Sequence, residues 1–158
     1  MLAGIATALF LLVGPGTVAG LIPWWITGWS FSGGGWLVAE IAGALLILGA
    51  LCVLIESFAR FAWKGLGTPA PVFPTRHLVV GGLYGFVRNP MYVAVVSAIL
   101  GQALLFASLP LAGYGVLVWL CFHTFVVLYE EPTLRKTFGA EYEVYRVQVP
   151  RWIPRFSR

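Results

Sequence analysis

Apolar positions fall into four runs along the chain, at about 2–22, 36–55, 91–109 and 111–129. Each is close to the roughly twenty residues that cross a bilayer as a helix. The first contains Gly14-Pro15-Gly16, which predicts a kink of the kind a membrane helix tolerates when its neighbours satisfy the freed carbonyls. Glycines, serines and tryptophans then predict an interfacial loop over 23–36. The second run holds Ala39 and Gly43 at a spacing that lets two helices approach closely. Leu109-Pro110-Leu111 reads as a tight reversal, making the third and fourth runs antiparallel neighbours.

Two polar stretches interrupt this pattern. Residues 60–88 form a connector in which Pro69, Pro71 and Pro74 forbid a regular helix and favour extended backbone. Its length exceeds that of ordinary connections, and such connections are often functional. From 130 to 158 the chain becomes a charged tail. There Leu134, Phe138, Tyr142 and Tyr145 recur at helical spacing between Arg135, Lys136, Glu141, Glu143 and Arg146, the signature of an amphipathic surface helix, with a break expected at Gly139. The chain is therefore expected to be an all-α integral membrane protein, one domain over 1–158, with about four transmembrane helices and a C-terminal amphipathic helix on the cytoplasmic face.

Composition excludes a soluble domain. Of 158 residues, 59% are hydrophobic and 10% charged, where soluble domains carry about 25% charged residues. Cys52 and Cys121 lie inside apolar runs and read as packing or lipid-facing residues. No His/Cys cluster has the spacing of a zinc site, and no metal or nucleic-acid partner is expected. The first run lacks a basic leader and reads as a retained span.

Charge sets the topology. The ten Lys and Arg residues lie either at Arg60, Lys64, Arg76 and Arg88 or at Arg135, Lys136, Arg146, Arg151, Arg155 and Arg158. The positive-inside rule then puts the connector, the tail and both termini in the cytoplasm, most simply across a bacterial plasma membrane. Connector and tail meet on one membrane face.

Candidate chemistry gathers on that face. Gly82 and Gly85 allow tight backbone or close approach of a ligand. Pro90 suits the first turn of the third helix, leaving Arg88 and Asn89 beside free N–H groups that suit an anion. Glu130 and Glu131 precede Pro132, where the fourth helix is expected to break. The glutamates suit hydroxyls or a positive charge, unless they are solvated or pair with Arg135. Glu56 is expected to face Arg60 one turn on. Glu40, near Trp36, reads as interfacial, and His123 as a helix-packing hydrogen bonder. A carboxylate, ribose hydroxyls or an ammonium, and a flat ring for the tyrosines are united in S-adenosylmethionine. NADPH needs more phosphate contacts than this set supplies.

The same residues carry a resemblance. The run Leu78 to Tyr92 (LVVGGLYGFVRNPMY), then Glu130-Glu131, Phe138-Gly139-Ala140-Glu141-Tyr142 with Tyr145, and Val149-Pro150-Arg151-Trp152-Ile153-Pro154 together resemble the isoprenylcysteine carboxyl methyltransferase and phospholipid methyltransferase superfamily. The likeness covers about Leu78 to Arg155. It implies an integral-membrane methyltransferase that uses S-adenosylmethionine, held by Gly82, Tyr84, Arg88, Asn89, Pro90, Tyr92, Glu130 and Glu131, with Tyr142, Tyr145 and Arg151 closing the pocket. Asn89 stands where the isoprenylcysteine enzymes have histidine, and the Asn-Pro form is common in phospholipid-type members.

Methyl transfer demands mainly positioning and exclusion of water. A lipophilic acceptor is expected to enter from the bilayer. A carboxylate acceptor would be oriented by Arg88 or Arg151; an amine or thiol would need a base, for which Glu131 is the candidate and His123 the reserve. An NADPH-dependent membrane reductase and a non-catalytic lipid-binding subunit are the alternatives. Oligomeric state is open at this level.

Overall fold

Gly43 and Gly101 explain a close helix–helix contact. A computed structural model describes residues 13–31, 36–63 and 78–154. In it, helix α2 (Leu37–Trp63) lies along helix α3 (Pro90–Leu105). A Cβ on Gly43 would fall 2.5 Å from the Gly101 carbonyl, and one on Gly101 would fall 2.8 Å from the Gly43 carbonyl. The two backbones thus touch where both side chains are missing, the arrangement that small residues permit between membrane helices. Below this contact Ala50, Leu54 and Phe58 of α2 pack on Ala94, Val95, Ala98 and Ile99 of α3. Leu111 and Val118 of α4 (Leu109–Phe125) complete the core.

The described residues form helices joined by turns and short extended segments, with no strand among them. Two helical stretches are long and apolar enough to cross a membrane, Leu37–Arg60 with 24 residues and Leu109–Phe138 with 30. Helix α3 is shorter, with 16 residues, about 24 Å at 1.5 Å per residue. The first expected span lies mostly outside the described residues, so two helices long and apolar enough to span a membrane are shown, and not clearly four. On α2 the residues turned away from α3 are exposed and apolar: Leu37, Val38, Ile41, Leu45, Leu48 and Ile55. Cys52 and Cys121 are free thiols on the outer surface.

Several expected boundaries move. The expected loop over 23–36 is helical at its start, as α1 (Ile22–Thr27), capped by Gly28 in the left-handed conformation. The irregularity expected at Gly14-Pro15-Gly16 comes one turn later, as a π-helical turn over Thr17–Leu21. The connector begins late, because α2 continues to Trp63; its proline-rich part lies outside the described residues. The reversal falls at 106–108, not 109–111. Ala107 adopts a positive φ of 48°, and the Ser108 hydroxyl caps α4 by accepting from the Leu111 N–H. Pro110 then sits in the first turn of α4, where its missing N–H costs nothing.

The largest correction concerns Pro132. The fourth helix does not break there. It widens into a π-helical turn over Val126–Glu130, in which the Glu131 N–H donates to the Val126 carbonyl five residues back. Helix α5 (Glu131–Phe138) follows directly, with Pro132 in its first turn. Proline lacks an N–H and crowds the carbonyl four residues back; here the turn before it is widened and the helix runs on through it. Gly139, with φ 52°, then turns the chain into α6 (Ala140–Gln148). The two helices bury Tyr142 and Tyr145 against Leu134, Phe138 and Leu78, as the amphipathic spacing leads one to expect.

Candidate functional site

The site is built where three separate segments meet at one end of α3. The first is the turn that enters α3. Gly82–Gly85 forms a short 3₁₀ turn that starts with Gly82 at φ 62°, a left-handed backbone that costs a non-glycine residue about 1–2 kcal/mol. Gly85 does not need to be glycine: a Cβ there meets only the Val80 carbonyl at an ordinary 3.5 Å. Pro90 occupies the first turn of α3 as expected. Asn89, immediately before it, is buried but does not cap the helix; its Nδ2 donates instead to the Arg151 carbonyl at 3.2 Å.

The second segment is the π turn at the end of α4. By changing the helical register between adjacent residues, it sends the two glutamates to different partners. Glu130 Oε2 accepts a 3.0 Å bond from the Tyr92 hydroxyl on the first turn of α3. Glu131 is 5% exposed and takes two guanidiniums. Arg88 Nη1 donates to Oε1 at 3.0 Å, and Arg151 makes a bidentate pair, Nε to Oε1 at 2.6 Å and Nη2 to Oε2 at 3.0 Å. The expected alternative partner, Arg135, instead pairs with Glu143 at 3.0 Å on the surface.

The third segment is the tail. The Arg88 N–H donates to the Pro150 carbonyl at 2.9 Å, so the chain at 149–152 is strapped across the start of α3. Arg88 Nη1 also donates to the Tyr142 hydroxyl at 3.0 Å, and the Tyr145 hydroxyl donates to the Tyr84 carbonyl at 2.7 Å. The Trp152 indole N–H donates to His123 Nδ1 at 3.1 Å, fixing the strap to α4. His123 is therefore a packing hydrogen bonder. Its partner was invisible in sequence, because nothing local links position 123 to 152.

Electrostatically the site keeps its phenols neutral and Arg151 charged. Burial raises the Tyr84 phenol above its ordinary value, and the Glu130 carboxylate adds to this. Burial does the same to Tyr142 and Tyr145. The hydrogen bond to Glu131 holds the Arg151 guanidinium above its usual range. One donor is left over: Arg88 Nε is buried and has no hydrogen-bond partner among the described residues. An unmatched buried N–H costs about 1–3 kcal/mol.

All ten residues expected to hold a cofactor thus lie in the three converging segments. Sequence reasoning missed the far end of α2. Glu56 pairs with Arg60 as expected, yet the pair does not merely face solvent. Glu56 Oε2 is buried without a partner among the described residues, and its charge reaches Tyr84.

A family model for phospholipid methyltransferase matches residues 38–141. The chain belongs to this family. It lies in the superfamily that also contains the isoprenylcysteine carboxyl methyltransferases, as the motifs lead one to expect. No curated protein matches the chain significantly. The match begins in α2 and ends one residue before Tyr142. It therefore takes in Arg88, Glu130 and Glu131 but not Tyr142, Tyr145 or Arg151, which the fold alone brings to the same site.

Proposed function

We propose that this phospholipid methyltransferase family member uses S-adenosylmethionine to methylate a lipophilic acceptor drawn from the bilayer. The observation that carries the reading is Glu131, buried between Arg88 of the α3 entry and Arg151 of the tail. Burying a carboxylate is costly unless it is paired, and this pairing spends the charges on holding three segments around one point. When bound, the cofactor would supply an activated methyl on its sulfonium centre.

The residues present fit that group. Arg88 Nε offers a buried, unused donor, and the first turn of α3 has no side-chain cap, leaving N–H groups suited to a carboxylate. Glu130 suits ribose hydroxyls or an ammonium, while Tyr84 and Tyr92 offer ring faces. Tyr142, Tyr145 and the 149–152 strap exclude water. In this reading Glu131 holds the two arginines in place of serving as the base expected from sequence, since two guanidiniums stabilise its charged form. Glu130, which accepts from Tyr92 and pairs with no cation among the described residues, is the better base for an amine or thiol acceptor. A carboxylate acceptor would need no base. We place the site on the cytoplasmic face of a four-span protein in a bacterial plasma membrane, following the basic residues.

Thermal unfolding of detergent-purified protein tests this. S-adenosylmethionine and S-adenosylhomocysteine should both stabilise it, by about 2.7 kcal/mol at a hundred times Kd. Stabilisation by NADPH or anionic lipid alone would overturn the reading. Mass spectrometry of lipid extracts from cells with and without the protein then identifies the acceptor.

A further inference from the structure

The end of α2 carries a cation that the proposed site does not use. Arg60 is paired with Glu56 one turn earlier on α2, where Glu preceding Arg is the favoured order. A lipid-headgroup anchor would point away from the protein. Instead, the Arg60 guanidinium lies against Gly82 so closely that a Cβ at that position would fall within it, with Cζ, Nη2 and Nε as its nearest neighbours. Gly82 is also the residue that needs a left-handed backbone, at φ 62°. The positive φ demands glycine at 82, and the Arg60 guanidinium packs on the face that the missing side chain leaves open.

What Gly82 begins is the turn that presents Tyr84. The Tyr84 carbonyl receives the Tyr145 hydroxyl, the Phe86 and Val87 N–H groups close the turn on Leu83, and Arg88 follows. We infer that Arg60 is a positioning residue of the candidate site: held by Glu56, its planar guanidinium seats the Gly82–Gly85 turn and so sets Tyr84 and Arg88. The inference rests on the proposed function only for its binding readout. Lysine cannot replace it, because a compact ammonium on a flexible stem has no planar face to lay against the glycine. A lipid-anchoring role, by contrast, needs only charge.

The test is a mutant cycle in the full-length, detergent-purified protein, with S-adenosylhomocysteine as the calorimetric probe and backbone hydrogen exchange of 82–88 as a second readout. Arg60→Lys and Arg60→Ala should each weaken binding about tenfold, a loss worth about 1.4 kcal/mol. Both should speed exchange in 82–88. Gly82→Ala should weaken binding at least as much. Combined with Arg60→Ala it should fall well short of the hundredfold loss expected if the two acted separately. Wild-type affinity in Arg60→Lys, or a fully additive double variant, would overturn the inference. If the wild type binds no S-adenosylhomocysteine, the proposed function fails by itself. The exchange readout still decides on Arg60: unchanged protection of 82–88 in Arg60→Lys and Arg60→Ala would refute it.

Discussion

Two π-helical turns in this molecule have the same local design and opposite uses. Each spans five residues, Thr17–Leu21 and Val126–Glu130, and each closes two residues before a proline, Pro23 and Pro132. In both, the next N–H reaches five residues back, Ile22 to Thr17 and Glu131 to Val126. At the first turn, the carbonyls displaced from the regular ladder are taken by neutral side chains of neighbouring helices. Gln102 Nε2 donates to the Ala19 carbonyl at 2.7 Å, and the Tyr114 hydroxyl donates to the Val18 carbonyl at 3.0 Å. Gln102 is itself completed by the Trp29 indole N–H. At the second turn, the register shift aims Glu130 and Glu131 at Tyr92 and at two arginines, and a buried Arg88 nitrogen is left unmatched among the described residues. The neutral cluster and the charged one sit near opposite ends of α3, roughly 15 Å apart by helical rise from Tyr92 to Gln102. The neutral cluster joins helices through matched hydrogen bonds; the charged cluster joins three segments and leaves one buried donor unmatched among the described residues.

The contrast can be broken at either end. The largest effect is expected from Glu131→Ala, which strands Arg88 and Arg151. It should cost about 3–5 kcal/mol in unfolding free energy and abolish S-adenosylhomocysteine binding by calorimetry. A folded variant with unchanged affinity would remove the charged cluster from the pocket. Gln102→Leu comes next, with a loss of about 1 kcal/mol, in line with hydrogen bonds between membrane helices. Its affinity for S-adenosylhomocysteine should stay within about twofold of wild type, since a hydrogen-bond change at a remote site has no direct path to the ligand. A larger loss would show that the two clusters are coupled. An effect of similar size, read on binding and not on stability, is expected from Tyr92→Phe, which removes only the donor to Glu130. Binding should weaken about fivefold, the equivalent of one hydrogen bond of about 1 kcal/mol. No change would mean that Glu130 is held by something other than Tyr92 when ligand is present.

Much of the site is legible in the order of the residues. The Arg88-Asn89-Pro90 entry, the adjacent glutamates and the tyrosine spacing of the tail each follow from residue types whose local demands are strong: proline at a helix start, charge at a membrane surface, period 3.6 in an amphipathic helix. The helical character of the chain is legible for the same reason. Pro132 misleads because its usual effect, ending a helix, depends on whether the preceding turn can widen. That is settled by the partners waiting for the displaced groups, not by the proline. Boundaries move at 23–36 and 109–111 because Pro23 and Pro110 lie in first helical turns, where proline is compatible with helix.

By itself, then, the sequence determined that the chain is helical and apolar and which residues carry its few charges. Only the tertiary structure decided who pairs with whom: Glu131 with Arg88 and Arg151 and not with Arg135, His123 with Trp152, Arg60 with Gly82. The reason is physical. Secondary structure and membrane partition are set by neighbours within a few positions. An ion pair between residues 88, 131 and 151 depends instead on helix contacts, such as Gly43 on Gly101, that bring distant segments together.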